Sequence, residues 1–120
     1  MLISIPIKLQ TNVRAHWRKQ WGTASEQKRI VYAFLKKTFG VKALTVPCRV
    51  VLTRVGKRPV DFDNLVYSFK TIRDAVADFI LPGYQPGHAD DQRLGILFKY
   101  DQKLGVDYAV EIEIIPVNRG

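Results

Sequence analysis

Four stretches of the chain alternate apolar and polar residues, and two others repeat at helical spacing. Residues 1–9 set Ile3, Ile5, Ile7 and Leu9 against Ser4, Pro6 and Lys8, which predicts a strand. Pro6 assigns it to a sheet edge, since proline cannot donate to a ladder. A polar, basic connection over 10–22 follows. The T-A-S-E segment then predicts a helix start, with Thr23 as cap and Glu26 three residues on, as a capping box requires. This helix runs through Ile30 and Phe34 to Gly40, a residue suited to the left-handed stop. A second strand covers 47–54, where Cys48, Val50 and Leu52 alternate with Arg49, Val51 and Thr53. The next helix is the clearest element. Leu65, Phe69, Ile72, Val76 and Phe79 recur at spacings of four and three and draw one apolar stripe. After a Pro/Gly loop at 81–89 come two more alternating runs, Leu94 to Tyr100 and Tyr108 to Ile114. The short D-Q-K-L-G between them predicts an antiparallel hairpin.

The order is β-α-β-α-β-β, and the economical packing is a two-layer α+β fold, a mixed sheet with its helices on one face. No repeat or linker divides residues 1–120, and a chain that is 47% hydrophobic has the apolar surface for one core. No apolar run approaches the roughly 20 residues of a membrane span, so no membrane partner is expected. M-L-I-S-I-P-I-K-L lacks the basic lead-in and cleavage site of a signal peptide. The single cysteine, Cys48, excludes an intrachain disulfide and a cysteine-rich zinc site; its P-C-R-V-V-L flank predicts a buried strand position and a reducing, cytoplasmic compartment. No G-x-x-x-x-G-K-[ST] loop is present, so no nucleotide cofactor is expected. His16 and His88 lie in no nucleophile motif.

Charge narrows the function. Nineteen Lys and Arg stand against eleven Asp and Glu, a net charge of +8, and a cationic surface attracts polyanions, chiefly nucleic acid or acidic lipid. Within this basic chain, D-F-D-N at 61–64 opens an apolar helix. One of Asp61, Asp63 and Asn64 can cap that helix, but capping needs one residue and three are present. In extended backbone, residues two apart point the same way, so Asp61 and Asp63 can converge on a divalent cation. Mg²⁺ takes oxygen ligands and is commonly held by one or two carboxylates with substrate phosphates. Asp91, just before the third strand, is placed to approach the same end of the sheet. Lys and Arg would then hold the phosphate backbone while the acidic pocket loads metal.

D-F-D-N-L, a helix, and then D-D-Q before a strand resemble the RusA family of Holliday-junction resolvases, whose signature is D-x-D-N-L-x-K followed by D-D-x-Q or D-D-x-x-V. The I-K-L-Q-T-N segment also fits the family order, so the similarity spans most of the chain. The resemblance implies a homodimeric, Mg²⁺-dependent endonuclease, with Mn²⁺ as substitute, acting on branched DNA in a bacterial cell or phage-infected host. It implies Asp61, Asp63 and Asp91 as catalytic carboxylates and metal ligands, with Asp90 as helper. Two departures stand out. The motif lysine is replaced by Tyr67, and the interval before D-D is lengthened by L-P-G-Y-Q-P-G-H-A. Lys70, nearly two helical turns beyond Asp63 and opposite the apolar stripe, is the candidate replacement cation.

Further DNA-binding candidates are Arg14, Arg18 and Lys19, interleaved with Trp17 and Trp21. Aromatic faces stack on unpaired bases while cations hold phosphates; Trp21 is assigned to the core instead. Lys57 and Arg58, before Asp61, and Arg73, on the helix flank, complete the set. The competing expectation is a non-catalytic nucleic-acid-binding module of the same fold, which the Tyr67 departure makes credible.

Overall fold

The computed structural model describes residues 2–7, 17–40, 46–81 and 95–117, with the backbone alone for 17–24. In chain order the elements are β1 (Leu2–Ile5), α1 (Trp17–Phe39), β2 (Cys48–Gly56), α2 (Phe62–Ser68), α3 (Lys70–Ile80), β3 (Ile96–Leu104) and β4 (Ala109–Pro116). The fold is α+β, with a mixed four-stranded sheet in the order β1-β4-β2-β3. One face of the sheet meets the helices. Ile3 and Ile5, Cys48, Val50 and Leu52, Ile96, and Val110, Ile112 and Ile114 are all buried there. They pack with Leu65, Phe69, Ile72 and Val76 and with Val31 and Leu35 of α1. The period-two reading therefore places the core side of every strand correctly, and β1 with Pro6 behind it lies at a sheet edge.

The expected β3–β4 hairpin does not form. β3 pairs with β2 in parallel, Cys48 opposite Ile96 through Gly56 opposite Leu104, while β4 pairs antiparallel with the other side of β2. Asp101–Leu104 belong to the strand and not to a turn. The connection is then residues 105–108, which must cross the end of β2 and span two strand spacings, about 10 Å. Four extended residues reach that far. Gly105 makes the crossing possible: its N–H donates to the Gly56 carbonyl at 2.9 Å, and a Cβ on it would lie 2.6 Å from Val55 Cγ1. This passage covers Val55, which is buried although it belongs to the sheet face turned away from the helices.

The helix after D-F-D-N is broken where one continuous helix was expected. Leu65, Phe69, Ile72 and Val76 are buried as the stripe requires, but α2 ends at Ser68 and α3 begins at Lys70. The cause is local. The Ser68 hydroxyl donates to the Leu65 carbonyl at 2.7 Å, the acceptor that the Phe69 N–H would use in an unbroken helix. That N–H turns instead to Val66 O at 3.2 Å. A serine hydroxyl competing for an i−3 or i−4 carbonyl bends helices in this way. Helical bonding resumes with Arg73 N–H to Phe69 O at 2.8 Å.

α1 begins six residues before the expected Thr23 cap, at Trp17, so Thr23 is inside the helix and is not its N-cap. It stops at Gly40, whose φ of 67° is the left-handed conformation anticipated there. Val31 and Leu35 are its buried positions, while Ile30 is exposed. Phe79 of α3 meets the rings of Tyr32 and Phe39 at 5.5 and 6.3 Å, joining the two helices.

Candidate functional site

The segment between β2 and α2 is held from both sides. Arg54 occupies an inward position of β2, only 7% exposed, and its Nη1 donates to the Arg58 carbonyl at 2.8 Å. Gly56 leaves room for this, because a Cβ there would fall 2.6–2.8 Å from the guanidinium atoms. From β3, Gln102 reaches Val60: Nε2 donates to the Val60 carbonyl at 2.8 Å and Oε1 accepts from its N–H at 3.0 Å. Lys57 and Arg58 are exposed in the same segment, with Lys57 Nζ 5.9 Å from the centre of the Tyr108 ring. Asp61 follows directly upon this clamped strip.

Asp61 is the N-cap of α2. Its backbone is extended (φ −67°, ψ 161°), and Oδ1 accepts from the Asn64 N–H at 3.1 Å. Of the three cap candidates it is therefore the one that caps. Asp63 lies in the first helical turn, so the expectation that both aspartates share an extended segment fails. Convergence by strand periodicity is replaced by a cap followed by the second residue of a helix. Both side chains are exposed, and neither has an ion pair among the described residues.

Asp63 lines an open depression of about 510 Å³ together with Phe62, Val66, Tyr67, Lys70 and Arg73. The two-turn spacing read from the sequence thus brings Asp63 and Lys70 to one hollow across the helix break. Arg73, on its flank, donates from Nη1 to the Tyr100 hydroxyl at 3.0 Å, and Tyr100 in turn lies against Phe69, ring centres 6.0 Å apart. Tyr67, at the position where the RusA resemblance expects lysine, is 52% exposed and Phe62 is 63% exposed.

Asp90 and Asp91 lie outside the described residues, as do Arg14, His16, His88 and all but the first residue of the 81–89 loop; Trp17, Arg18, Lys19 and Trp21 are in α1, with only their backbone described. Among the described residues no cluster of three or more His, Cys, Asp or Glu is placed to hold a metal. Two carboxylates, Asp61 and Asp63, are the described part of the expected ligand set. As hard oxygen donors they suit Mg²⁺, which is commonly held by one or two carboxylates and completes its shell with water and phosphate. Asp61 has Oδ2 for this while Oδ1 caps the helix. Cys48 is buried, and burial pushes its thiol above the usual range, so it is a packing residue and no nucleophile. No helix among the described residues is long and apolar enough to cross a membrane.

Charge and motif alone give no site role to Arg54, Gln102, Tyr100 or Phe62. Two of these had a signal: Arg54 and Gln102 are polar residues at inward positions of otherwise apolar alternation. Neither protein-family models nor curated proteins give a match to this chain.

Proposed function

We propose that the chain is a metal-dependent endodeoxyribonuclease that resolves four-way DNA junctions by paired phosphodiester hydrolysis. The observation that carries this reading is the depression lined by both Asp63 and Lys70, with the exposed Asp61 cap two residues before Asp63. One carboxylate suited to a cation and one ammonium suited to phosphate line the same depression, on a chain of net charge +8. The RusA resemblance supplies the substrate class, the homodimer and a cytoplasmic setting in a bacterial cell or phage-infected host.

Asp61 and Asp63 would hold Mg²⁺, or Mn²⁺ in its place, with Asp91 and Asp90 completing the set from the preceding segment of β3. When bound, the ion supplies Lewis acidity toward a phosphoryl oxygen and lowers the pKa of water. Lys70 meets the non-bridging oxygens, where charge accumulates as water adds to phosphorus and the bond to the 3′-oxygen breaks. The products are a 3′-hydroxyl and a 5′-phosphate. Lys57 and Arg58 extend the phosphate contact on the near side of Asp61, Arg73 on the far side, and Arg14, Trp17, Arg18 and Lys19 form a second basic segment. Resolution needs two nicks, and a two-fold dimer places two such sites symmetrically.

Asp63→Asn is the test. Cleavage of a labelled junction in Mg²⁺ is lost, while junction binding is retained or tightened because a negative charge beside phosphate is gone. Nicking at the wild-type rate refutes the assignment.

The exposed Tyr67 favours one second reading, a nucleic-acid-binding module that lacks catalysis. It differs by giving salt-sensitive binding with no scission of junction or linear duplex in either Mg²⁺ or Mn²⁺.

A further inference from the structure

Two aromatic side chains border the Asp63–Lys70 depression, and nothing in the nuclease reading uses them. Phe62 is 63% exposed and Tyr67 52% exposed, although each is next to residues that reach the core, Leu65 and Phe69. A single exposed aromatic carries no message. Here two of them share one hollow with the short Val66, the ammonium of Lys70 and the guanidinium-bearing Arg73. The hollow's volume, about 510 Å³, is in the range that accepts a compact organic ligand. Lys70 has no ion-pair partner among the described residues.

We propose that Phe62 and Tyr67 form a stacking seat for one unpaired nucleobase of DNA, with Lys70 on the adjoining phosphate. The chemistry selects this occupant. An aromatic face binds any base through its π-surface, and a neighbouring cation holds the backbone. A simple apolar peptide would leave Lys70 and Asp63 without counterparts, and a stacked duplex offers no free base face. Replacing the family's lysine with Tyr67 then changes what the position does, from charge neutralisation to base contact, while Lys70 retains the charge one turn further on. A base drawn from the stack here lies beside Asp63, so its phosphate is the one presented to the carboxylates. The seat rests on the nucleic-acid part of the proposed function and not on hydrolysis.

The test is binding without metal. A single-stranded oligonucleotide carrying 2-aminopurine, the same sequence as a duplex, and a four-way junction with 2-aminopurine at the crossover are titrated in EDTA. Wild-type protein quenches the probe in the single strand and the junction. Phe62→Ala and Tyr67→Ala each weaken single-strand binding on the order of tenfold and abolish quenching, with duplex binding unchanged. Phe62→Leu, which keeps apolar bulk without a π-face, behaves like Phe62→Ala, and Tyr67→Phe behaves like wild type. Because both side chains are exposed, unfolding is not expected, and a thermal melt of each variant checks it. Unaltered affinity and quenching in both alanine variants overturn the seat, even if junctions are still cleaved in Mg²⁺. Quenching lost in those variants from a protein that never cleaves sustains the seat and sinks the nuclease reading alone. No binding to any of the three DNAs sinks both.

Discussion

Gln102 of β3 grips the backbone of Val60 in both directions, donating to its carbonyl at 2.8 Å and accepting from its N–H at 3.0 Å. A side-chain amide here takes the part of a neighbouring strand. It fixes the residue immediately before the Asp61 cap, so the strand layer sets where the carboxylates stand. Gln102→Leu leaves a partly buried donor and acceptor unsatisfied, and a loss of about 1–3 kcal/mol is expected in urea denaturation. Gln102→Glu keeps an acceptor but turns a carboxylate toward the Val60 carbonyl, so it is no better. Unchanged midpoints for both variants refute the clamp.

Asp61 caps α2, and in the proposed function it also holds a cation; the two duties respond differently to substitution. Asparagine caps as well as aspartate. Asp61→Asn therefore keeps wild-type stability while losing Mg²⁺-dependent cleavage, and Asp61→Ala loses cleavage and about 1 kcal/mol of stability besides. Full cleavage by Asp61→Asn reduces the residue to a cap.

The crossing at Gly105 is steric. Gly105→Ala places a methyl 2.6 Å from Val55 Cγ1, and overpacking of this kind costs about 1–3 kcal/mol. In a Val55→Ala background the penalty largely disappears, so a double-mutant cycle gives a coupling energy well above experimental error. Additive effects contradict the contact.

Ser68→Ala returns the Leu65 carbonyl to the Phe69 N–H. Stability is expected to stay within about 0.5 kcal/mol of wild type or to rise slightly, since the hydroxyl's back-bond is a competitor and not a support. A clear loss of stability shows the break at Phe69 to be a requirement of the fold.

Cys48 reacts with a thiol reagent only after unfolding, because burial both hides the thiol and pushes its pKa up. The sign for stability follows. The unfolded chain ionises this thiol near 9.0, the folded chain only at higher pH, so the unfolded state releases its proton first and stability falls as pH rises past that value. The stability gap between wild type and Cys48→Ala narrows over the same interval. A constant gap, or rapid labelling of the native protein, contradicts the buried position.

Much of this was written in local pattern. Ile3, Ile5, Val50, Leu52, Val110 and Ile112 announce their sheet face by period two, and Leu65, Phe69, Ile72 and Val76 announce the helix stripe. The pairing of strands was not. Asp101–Leu104 look like a turn because polar residues are at ease on an open sheet face, and the parallel partner of β3 lies about fifty residues away, beyond the reach of any local signal. The helix break escaped because a mid-helix serine says nothing about which carbonyl its hydroxyl will take. At the site, D-F-D-N gave the residues and the cap chemistry, while the Asp63–Lys70 hollow needed the helix geometry. Arg54 was visible as a charge among Cys48, Val50 and Leu52, yet its use depends on Gly56 and the Arg58 carbonyl, which only the folded chain brings near.

Every strand interface in the order β1-β4-β2-β3 involves one of the two final strands. During synthesis, then, β1 and β2 emerge before either of their partners, and one edge of β2 waits for residues 96–104 and the other for 109–116. β4 is the strand that ties β1 to the rest of the sheet, so a stop codon anywhere before Ala109 does not trim the protein but leaves β1 without a place to go.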